Sequence, residues 1–224
     1  MKNQNLPLFE IGSFEPISQE FMMEGRAAFD SVAEFQRKYN KKDMDTLQNE
    51  LHDSIVGELL GFQLVNAAKH GLDCKLSEQE SIFLESKAAS YNTSWQATFN
   101  DTTLEKADAF RDEKVWLALS VWTNTAELLF VCYGQHEGIG DYLEEGVHKH
   151  NDGKTVRSTQ TIGLIPLIKD YGFKVLAVGN TKENIYQAII LKHRSLRKCL
   201  KIEDIQTLQD YEPPFLPKMP QPEE

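Results

Sequence analysis

The chain has 224 residues, of which 41% are hydrophobic and 26% charged, and its formal net charge is −10. This balance is typical of a globular protein with a buried core, and it excludes a fibrous or wholly disordered chain. No apolar run approaches the roughly 20 residues that cross a bilayer, and the first residues lack the apolar stretch of a secretory signal. We therefore expect a cytoplasmic protein with no membrane partner.

The cysteines and histidines do not predict a disulfide framework or a zinc site. The three cysteines are Cys74, Cys132 and Cys199, and no two of them form a CxxC pair. The histidines of the middle region, which are His136, His148 and His150, have no partners at zinc-ligand spacing. Any metal site in this chain should therefore be built from oxygen ligands.

Two helices are predicted in the first third of the chain. Between Ser18 and Tyr39 apolar residues recur at helical spacing, which favours a helix with one buried side. A second helix should begin after Asp43 to Asp45 and end at a glycine near His70-Gly71. Its apolar face is predicted to contain Leu47, Leu51, Ile55, Val56, Leu59 and Leu60.

A short set of charged residues follows this second helix. Asp73 precedes Glu85 by twelve positions, and Lys87 follows Glu85 by two. Because side chains alternate across a strand, Glu85 and Lys87 should point to the same face. If the preceding segment runs antiparallel and Leu76 pairs with Ile82, Asp73 lies opposite Glu85. Two carboxylates on one face would hold a hard divalent cation beside the ammonium of Lys87.

The order of helix, hairpin with aspartate, and Glu-X-Lys resembles the PD-(D/E)XK nuclease superfamily, and within it the type II restriction endonucleases. The resemblance covers roughly residues 46 to 115. It implies that Asp73 and Glu85 bind Mg²⁺ together with the main-chain carbonyl of Ser86, and that Lys87 is the catalytic lysine. It also implies that Glu58, on the second helix, is a catalytic residue that supports the metal or its waters.

Other interpretations of these residues stay open. Glu50 lies on the same helix and competes with Glu58 for the supporting role. Gly71-Leu72 stands where the family often has a proline before the aspartate. The acids could also be solvated surface residues, with Glu85 and Lys87 forming an ordinary surface ion pair.

The segment after the lysine, from Tyr91 to Asp101, is polar and aromatic. In the nucleases that the chain resembles, this segment often approaches DNA. The resemblance therefore suggests four DNA contacts, which are Asn92, Ser94, Gln96 and Asn100. The alternative is a surface loop anchored to the core by Trp95 and Phe99. A short helix should follow, with Thr102 and Glu105 forming a capping box.

The second half of the chain is predicted to contain alternating strands and helices. Near-continuous apolar runs predict strands at Lys114 to Trp122, Glu127 to Tyr133 and Phe173 to Val178, buried on both faces. Helices are predicted through Tyr142 to Val147, Ser158 to Tyr171 and from Lys201 onward, with a helical or mixed element at Asn184 to His193. The expected fold class is α/β, with a central mixed β-sheet flanked by helices and a restriction-endonuclease-like core. This domain should span residues 46–211, between a helical lead (1–45) and a proline-rich, disordered tail (212–224).

Positive charge is concentrated between Lys149 and Lys201. That segment holds eleven Lys and Arg residues against three acids, a local +8 that leaves −18 for the rest of the chain. Such asymmetry allows a DNA-binding surface on an acidic protein. The candidate phosphate contacts are Arg157, Arg194, Arg197 and Lys198, and the alternative is a solvated helix face.

The sequence therefore predicts a Mg²⁺-dependent, type II restriction-like endonuclease that cleaves double-stranded DNA sequence-specifically. A homodimer is expected if both strands of a palindromic site are cut. Two alternatives remain. One is a repair or phage-defence nuclease of the same core, acting on DNA or RNA. The other is a non-catalytic nucleic-acid-binding protein, which the negative charge modestly favours.

Overall fold

The computed structural model describes residues 18–40, 44–65, 72–77, 81–124, 126–151 and 158–211. The chain divides into two compact units, Met1–Leu47 and Gln48–Glu224. Within the described ranges, no helix is both long enough and apolar enough to cross a membrane. The predicted disordered tail and Arg157 lie outside these ranges.

The first helix, α1 (Gln19–Tyr39), forms where its periodicity predicted it. The hydroxyl of Ser18 accepts a hydrogen bond from the amide of Phe21 at 3.0 Å, which caps the first turn. Asn40 ends the helix in the left-handed conformation, with φ of 53°. The predicted buried side is wrong, because no residue of α1 is buried and Phe29 is 69% exposed.

The second helix, α2 (Met44–Leu60), ends well before the predicted Gly71. Gly61 adopts φ of 85°, and the amide of Phe62 donates to the carbonyl of Gly57, so the last turn is closed there. A glycine ends the helix as predicted, but it is a different glycine. The predicted apolar face is also wrong in part, since Val56 and Leu60 are buried whereas Leu51 and Ile55 are exposed.

Nine strands, counted over the described residues of the second unit, make up two sheets. They are β1 (Gln63–Leu64), β2 (Cys74–Lys75), β3 (Phe83–Ser90), β4 (Gln96–Thr102), β5 (Val115–Trp122), β6 (Leu128–Gly134), β7 (Ser158–Gly163), β8 (Lys174–Ala177) and β9 (Ile205–Thr207). Seven of them form one sheet in the order β1-β2-β3-β5-β6-β8-β9, while β4 and β7 pair separately. The β3–β5 and β8–β9 pairs are parallel and the others antiparallel. The predicted central mixed sheet is therefore confirmed.

Helices and two apolar clusters cover the seven-stranded sheet. The later helices are α3 (Leu104–Ala109), α4 (Gly138–Asn151), α5 (Leu164–Lys169) and α6 (Lys182–Lys192), followed by 3₁₀ turns at Arg194–Lys198 and Ile202–Asp204. On central strand β5, Leu117 and Leu119 belong to one buried cluster, and Ala118 and Trp122 to the other. The predicted burial of this strand on both faces is confirmed.

Three predicted elements differ from the structure. The helix expected from Ser158 to Tyr171 is strand β7 followed by α5, and its first half contains the β-branched residues that favour extended chain. Pro166 lies in the first turn of α5, where a missing N–H costs little. The helix expected from Lys201 is a 3₁₀ turn and edge strand β9, which pairs in parallel with β8.

The third element is the polar stretch after Tyr91, most of which forms strand β4 and not the surface loop that the sequence left open as an alternative. Trp95 and Phe99 are buried anchors, as the sequence suggested. The helix that follows is capped by Thr103, whose hydroxyl accepts from the amide of Lys106 at 3.2 Å. The predicted cap, Thr102, is buried at the end of β4 instead.

Candidate functional site

The β2–β3 register places the two predicted acids across from each other. Cys74 pairs with Leu84, and the amide of Leu76 donates to the carbonyl of Ile82 at 2.9 Å. One step along the same antiparallel register brings Asp73 opposite Glu85. The predicted pairing of this hairpin is therefore confirmed.

Lys87, in the middle of β3, joins these acids into one cluster. Its Nζ lies 2.7 Å from Glu85 Oε1 and 3.6 Å from Asp73 Oδ2. The same ammonium donates to the Ser86 carbonyl at 2.9 Å, and the Ser86 amide donates to Asp73 Oδ2 at 2.9 Å. We name Asp73, Glu85 and Lys87, together with the Ser86 backbone, the hairpin cluster.

A second lysine, which the sequence did not predict, reaches the same carboxylate. Lys106, on α3, places its Nζ 2.5 Å from Glu85 Oε1. Both ammonium groups thus bind one oxygen of a carboxylate that is only 1% exposed, while Glu85 Oε2 is buried and has no hydrogen-bond partner among the described residues. Lys106 is distant in sequence and its helix is only six residues long, so spacing alone gave no signal for it.

The third acid of the site is Asp53 and not Glu58. Asp53 lies on α2 within electrostatic reach of Asp73, Glu85 and Lys87, whereas Glu58 is exposed. Five residues separate the two acids, which turns their side chains about 140° apart around a helix. The structure therefore brings Asp53 near the hairpin cluster and leaves Glu58 exposed on another side of the helix, while the supporting role of Glu58 stays a prediction.

Gly57 explains why the Asp53 face turns toward the hairpin. A Cβ on Gly57 would lie 2.8 Å from the Sγ of Cys74, so the helix and β2 approach too closely there for a larger residue. Asp53 is one turn before Gly57 and shares its face. An interior glycine with an acid four residues before it was the signal available in the sequence.

The backbone beneath Lys87 is held by a buried polar chain. The Ser120 hydroxyl on β5 donates to the Lys87 carbonyl at 3.1 Å and accepts from the Trp122 indole N–H at 2.9 Å. The ring of Trp122 in turn stacks on His52 of α2, with centroids 4.0 Å apart. These contacts fix the strand that carries the lysine.

Burial and the neighbouring charges together shift the pKa values of Asp53 and of the hairpin cluster. Burial raises the pKa of Asp53 to about 7, and the neighbouring Asp73 adds to that rise. Burial and Glu85 likewise raise the pKa of Asp73. Burial alone would raise the pKa of Glu85 as well, but Lys87 and Lys106 lower it overall. Burial opposes the charge of Lys87, yet Glu85 and Asp73 raise its pKa, so this lysine is an ammonium at neutral pH.

These residues fit a hard cation that keeps part of its water shell. Three carboxyl groups lie near two ammonium groups, and Glu85 Oε2 is a buried acceptor to which no described residue donates. In the described part of the chain, no three His, Cys, Asp or Glu side chains converge as a ready ligand set. Mg²⁺ is commonly held by one or two carboxylates plus waters, so Asp73 and Glu85 suffice in number.

The candidate DNA contacts after the lysine do not all share one environment. Asn92, Ser94 and Asn100 are exposed, whereas Gln96 is half-buried in β4. The loop that carries Asn92 is held from beneath by Lys192, which donates to the carbonyls of Tyr91 and Thr93.

The basic residues near the end of the second unit do not all make the same kind of contact. Lys192 is committed to this loop and lies 4.6 Å from the ring centroid of Trp95. Arg194, Arg197 and Lys198 lie on the 3₁₀ turn after α6 and are exposed. Across the described ranges none of these three pairs with a carboxylate, so their charges face solvent.

A scan against protein-family models and a search of curated proteins each found no match to this chain. Any assignment of function therefore depends on the geometry of the site.

We predict that Asp53→Asn changes how stability depends on pH. The native pKa of about 7 lies above the ordinary 3.8, so the folded state retains a proton between these values. Wild-type stability should therefore fall as pH rises from about 4 to 7 and then level off, at a cost of at most about 4 kcal/mol. An asparagine at this position has no such cost. The variant should therefore be more stable than the wild type at pH 8 and about as stable at pH 4.

Urea unfolding of both proteins at pH 4, 6 and 8 measures the difference. The matched control is Glu58→Gln, which removes an exposed acid from the same helix. If Asp53→Asn and the wild type lose stability in parallel as pH rises, Asp53 does not titrate as its surroundings indicate.

Proposed function

We propose that this protein is a Mg²⁺-dependent endonuclease that hydrolyses phosphodiester bonds of double-stranded DNA, in the manner of type II restriction enzymes. The observation that carries the proposal is the hairpin cluster, in which the antiparallel register sets Asp73 opposite Glu85 with Lys87 Nζ between them. Two acids and a lysine at this spacing are the chemistry that the PD-(D/E)XK resemblance implies. The α/β fold with a mixed central sheet is compatible with it.

In this proposal each residue has a separate task. Asp73, Glu85 and the Ser86 carbonyl would hold Mg²⁺, which when bound polarises the scissile phosphate and neutralises charge on the leaving oxygen. Lys87 would orient the attacking water toward phosphorus or take a proton from it. The water oxygen would form the new P–O bond while one of its protons passes to Lys87 or to solvent, the bond to the leaving oxygen would break, and the leaving oxygen would take up a proton from solvent water.

The protonation of Lys87 follows from its neighbours. Its pKa is raised by Glu85 and Asp73, so the free site holds an ammonium. Positive charge placed between these carboxylates would weaken that effect and bring the lysine closer to deprotonation. Arginine could not take this role, since it stays protonated.

Lys106 would act as a counter-cation for Glu85 in the metal-free site. Its Nζ binds Glu85 Oε1, the oxygen that Lys87 Nζ also binds. Without such a partner, a buried carboxylate would destabilise the folded protein. Metal binding at Glu85 then competes with this ammonium. Lys106 would therefore lower the affinity of the site for the metal without contacting the substrate.

Exposed polar and basic side chains would bind the DNA. Arg194, Arg197 and Lys198 can contact phosphates, and Asn92, Ser94 and Asn100 lie on the segment after the catalytic strand. A nuclease of the same core that acts in repair, in phage defence or on RNA would share the hairpin cluster. It would differ in the residues that bind the nucleic acid.

We predict that Lys87→Met slows DNA cleavage at least about 100-fold while leaving a folded protein. The assay is cleavage of supercoiled plasmid in Mg²⁺, with EDTA as the metal-free control. Glu58→Gln is the matched control, because Glu58 is an exposed acid away from the cluster. Wild-type rates from a folded Lys87→Met protein would remove the catalytic assignment.

The same assay separates the nuclease classes. Discrete fragments indicate restriction-like recognition of a sequence, whereas a smear indicates a repair-like or nonspecific nuclease. If the wild type binds DNA but Mg²⁺ never produces cleavage, the protein is a non-catalytic binder.

We predict that Lys106→Met lowers the Mg²⁺ concentration for half-maximal cleavage several-fold, because the ammonium that competes for Glu85 is gone. The titration compares Lys106→Met with Lys114→Met, an exposed lysine whose loss should change nothing. If Lys106→Met abolishes cleavage at every Mg²⁺ concentration, Lys106 contacts the reacting phosphate and is not a counter-cation.

We predict that replacing Arg194, Arg197 and Lys198 by alanine lowers the slope of log affinity against log salt by up to about 2 to 3, since each lost phosphate contact contributes about 0.9. The loss should be similar for cognate and unrelated DNA, because phosphate contacts carry no sequence information. Filter binding across a salt series measures it. A control triple variant removes the same charge elsewhere, at Lys114, Lys169 and Lys174, and an equal slope in both triples would exclude a dedicated phosphate surface.

A further inference from the structure

Helix α1 carries an apolar seam at heptad spacing. The residues Phe21, Gly25, Ala28, Val32, Phe35 and Tyr39 follow one another in alternating steps of four and three. This spacing places the six positions in one stripe along a helix, the arrangement that packs against a second helix. No residue of α1 is buried, and Phe21 and Tyr39 are 63% and 49% exposed. The seam therefore lacks a cover among the described residues.

Gly25 is a second sign that this seam has a partner. A glycine inside a helix costs about 0.5–1 kcal/mol relative to alanine. A Cβ placed on Gly25 would meet no atom within 4 Å, so the described packing gives no reason for a glycine there. Close approach of another helix would supply the reason.

The seam is complementary to itself when two copies run antiparallel. Setting Gly25 opposite Phe35 of the partner subunit also sets Ala28 opposite Val32 of the partner subunit and Phe21 opposite Tyr39 of the partner subunit. Small residues then face larger ones at two of the three layers, and the remaining layer is an aromatic pair. The same register repeats on the other side of the two-fold axis, as a closed isologous contact requires.

The charges beside the seam favour the same orientation. Glu20 and Glu24 lie at the start of α1, and Arg37 and Lys38 lie in its last turn. In the antiparallel register Glu24 flanks Lys38 of the partner subunit, and the pair occurs twice. A parallel pairing would instead bring the like-charged ends of the two helices together and give Glu24 an apolar neighbour, Phe29.

We propose that α1 is a homodimer interface, in which two copies of the chain pair through an antiparallel, two-fold helix contact along this seam. A helix of 21 residues is about 31 Å long at 1.5 Å per residue. One such pair buries less than the ~800 Å² per partner of a standard interface. The dimer is therefore weak, with a dissociation constant on the order of 1–100 μM. The inference stands apart from the nuclease proposal, since it uses none of the site residues.

Sedimentation velocity of the full chain at low salt, from about 1 to 200 μM, tests the dimer. Glu24→Lys and Lys38→Glu should each shift the protein toward monomer, because each puts like charges together across the interface. The double variant Glu24→Lys with Lys38→Glu restores opposite charges and should restore the dimer. A chain that is monomeric throughout overturns the proposal, and so does a dimer that ignores all three charge variants.

Cross-linking tests the orientation independently of affinity. In the antiparallel register Ser31 meets Ser31 of the partner subunit beside the two-fold axis, whereas Asp30 lies on the outer face of the helix. In a Cys199→Ser background, Ser31→Cys should form a covalent dimer with a short bis-maleimide, and Asp30→Cys should form far less. Equal cross-linking of the two variants overturns the proposed seam.

Discussion

Burial of the Glu85 carboxylate is the constraint around which the site is organised. A carboxylate that is 1% exposed loses its hydration, at a cost of several kcal/mol if nothing compensates it. Lys87 compensates it from the same strand, and Lys106 from α3. Because β3 and β5 are parallel, the chain must cross over between them, and α3 lies in that crossover. The topology of the sheet thus supplies the second ammonium.

Two lysines face three acids in this site, and burial, together with the neighbouring Asp73, raises the pKa of Asp53. Asp53 reaches the cluster because Gly57 allows α2 to approach Cys74 closely. Its pKa of about 7 means that the site relieves part of its charge by holding a proton at neutral pH. A divalent cation would relieve the same charge by another route, which is the electrostatic reason for the proposed Mg²⁺ site.

Local patterns in the sequence predicted much of the fold and part of the site. Alternation along a strand was enough to place Glu85 and Lys87 together, and a short hairpin fixed Asp73 opposite Glu85, because each depends on neighbours in sequence. The central strands were predictable from continuous apolar runs. Lys106 and Asp53 were not, since their positions follow from packing between distant elements. Strand β7 was mistaken for a helix because it pairs with β4, a partner about sixty residues away that leaves no local periodic signal.

The choice of the buried face of α2 is another feature that the sequence alone did not predict. The row of Leu51 and Ile55 is the more apolar in sequence, yet it is exposed, while the row with His52 and Val56 is buried. Close packing at Gly57 and the stack of His52 on Trp122 decide which row faces the sheet, and neither is visible in a hydrophobicity pattern. The exposed apolar residues on α1 are a different case from those on α2. Their spacing is regular, no residue of the helix is buried, and the surface that we propose for them is a second copy of the same helix. A two-fold axis at α1 would give the protein the symmetry of a palindromic duplex without using any residue of the hairpin cluster.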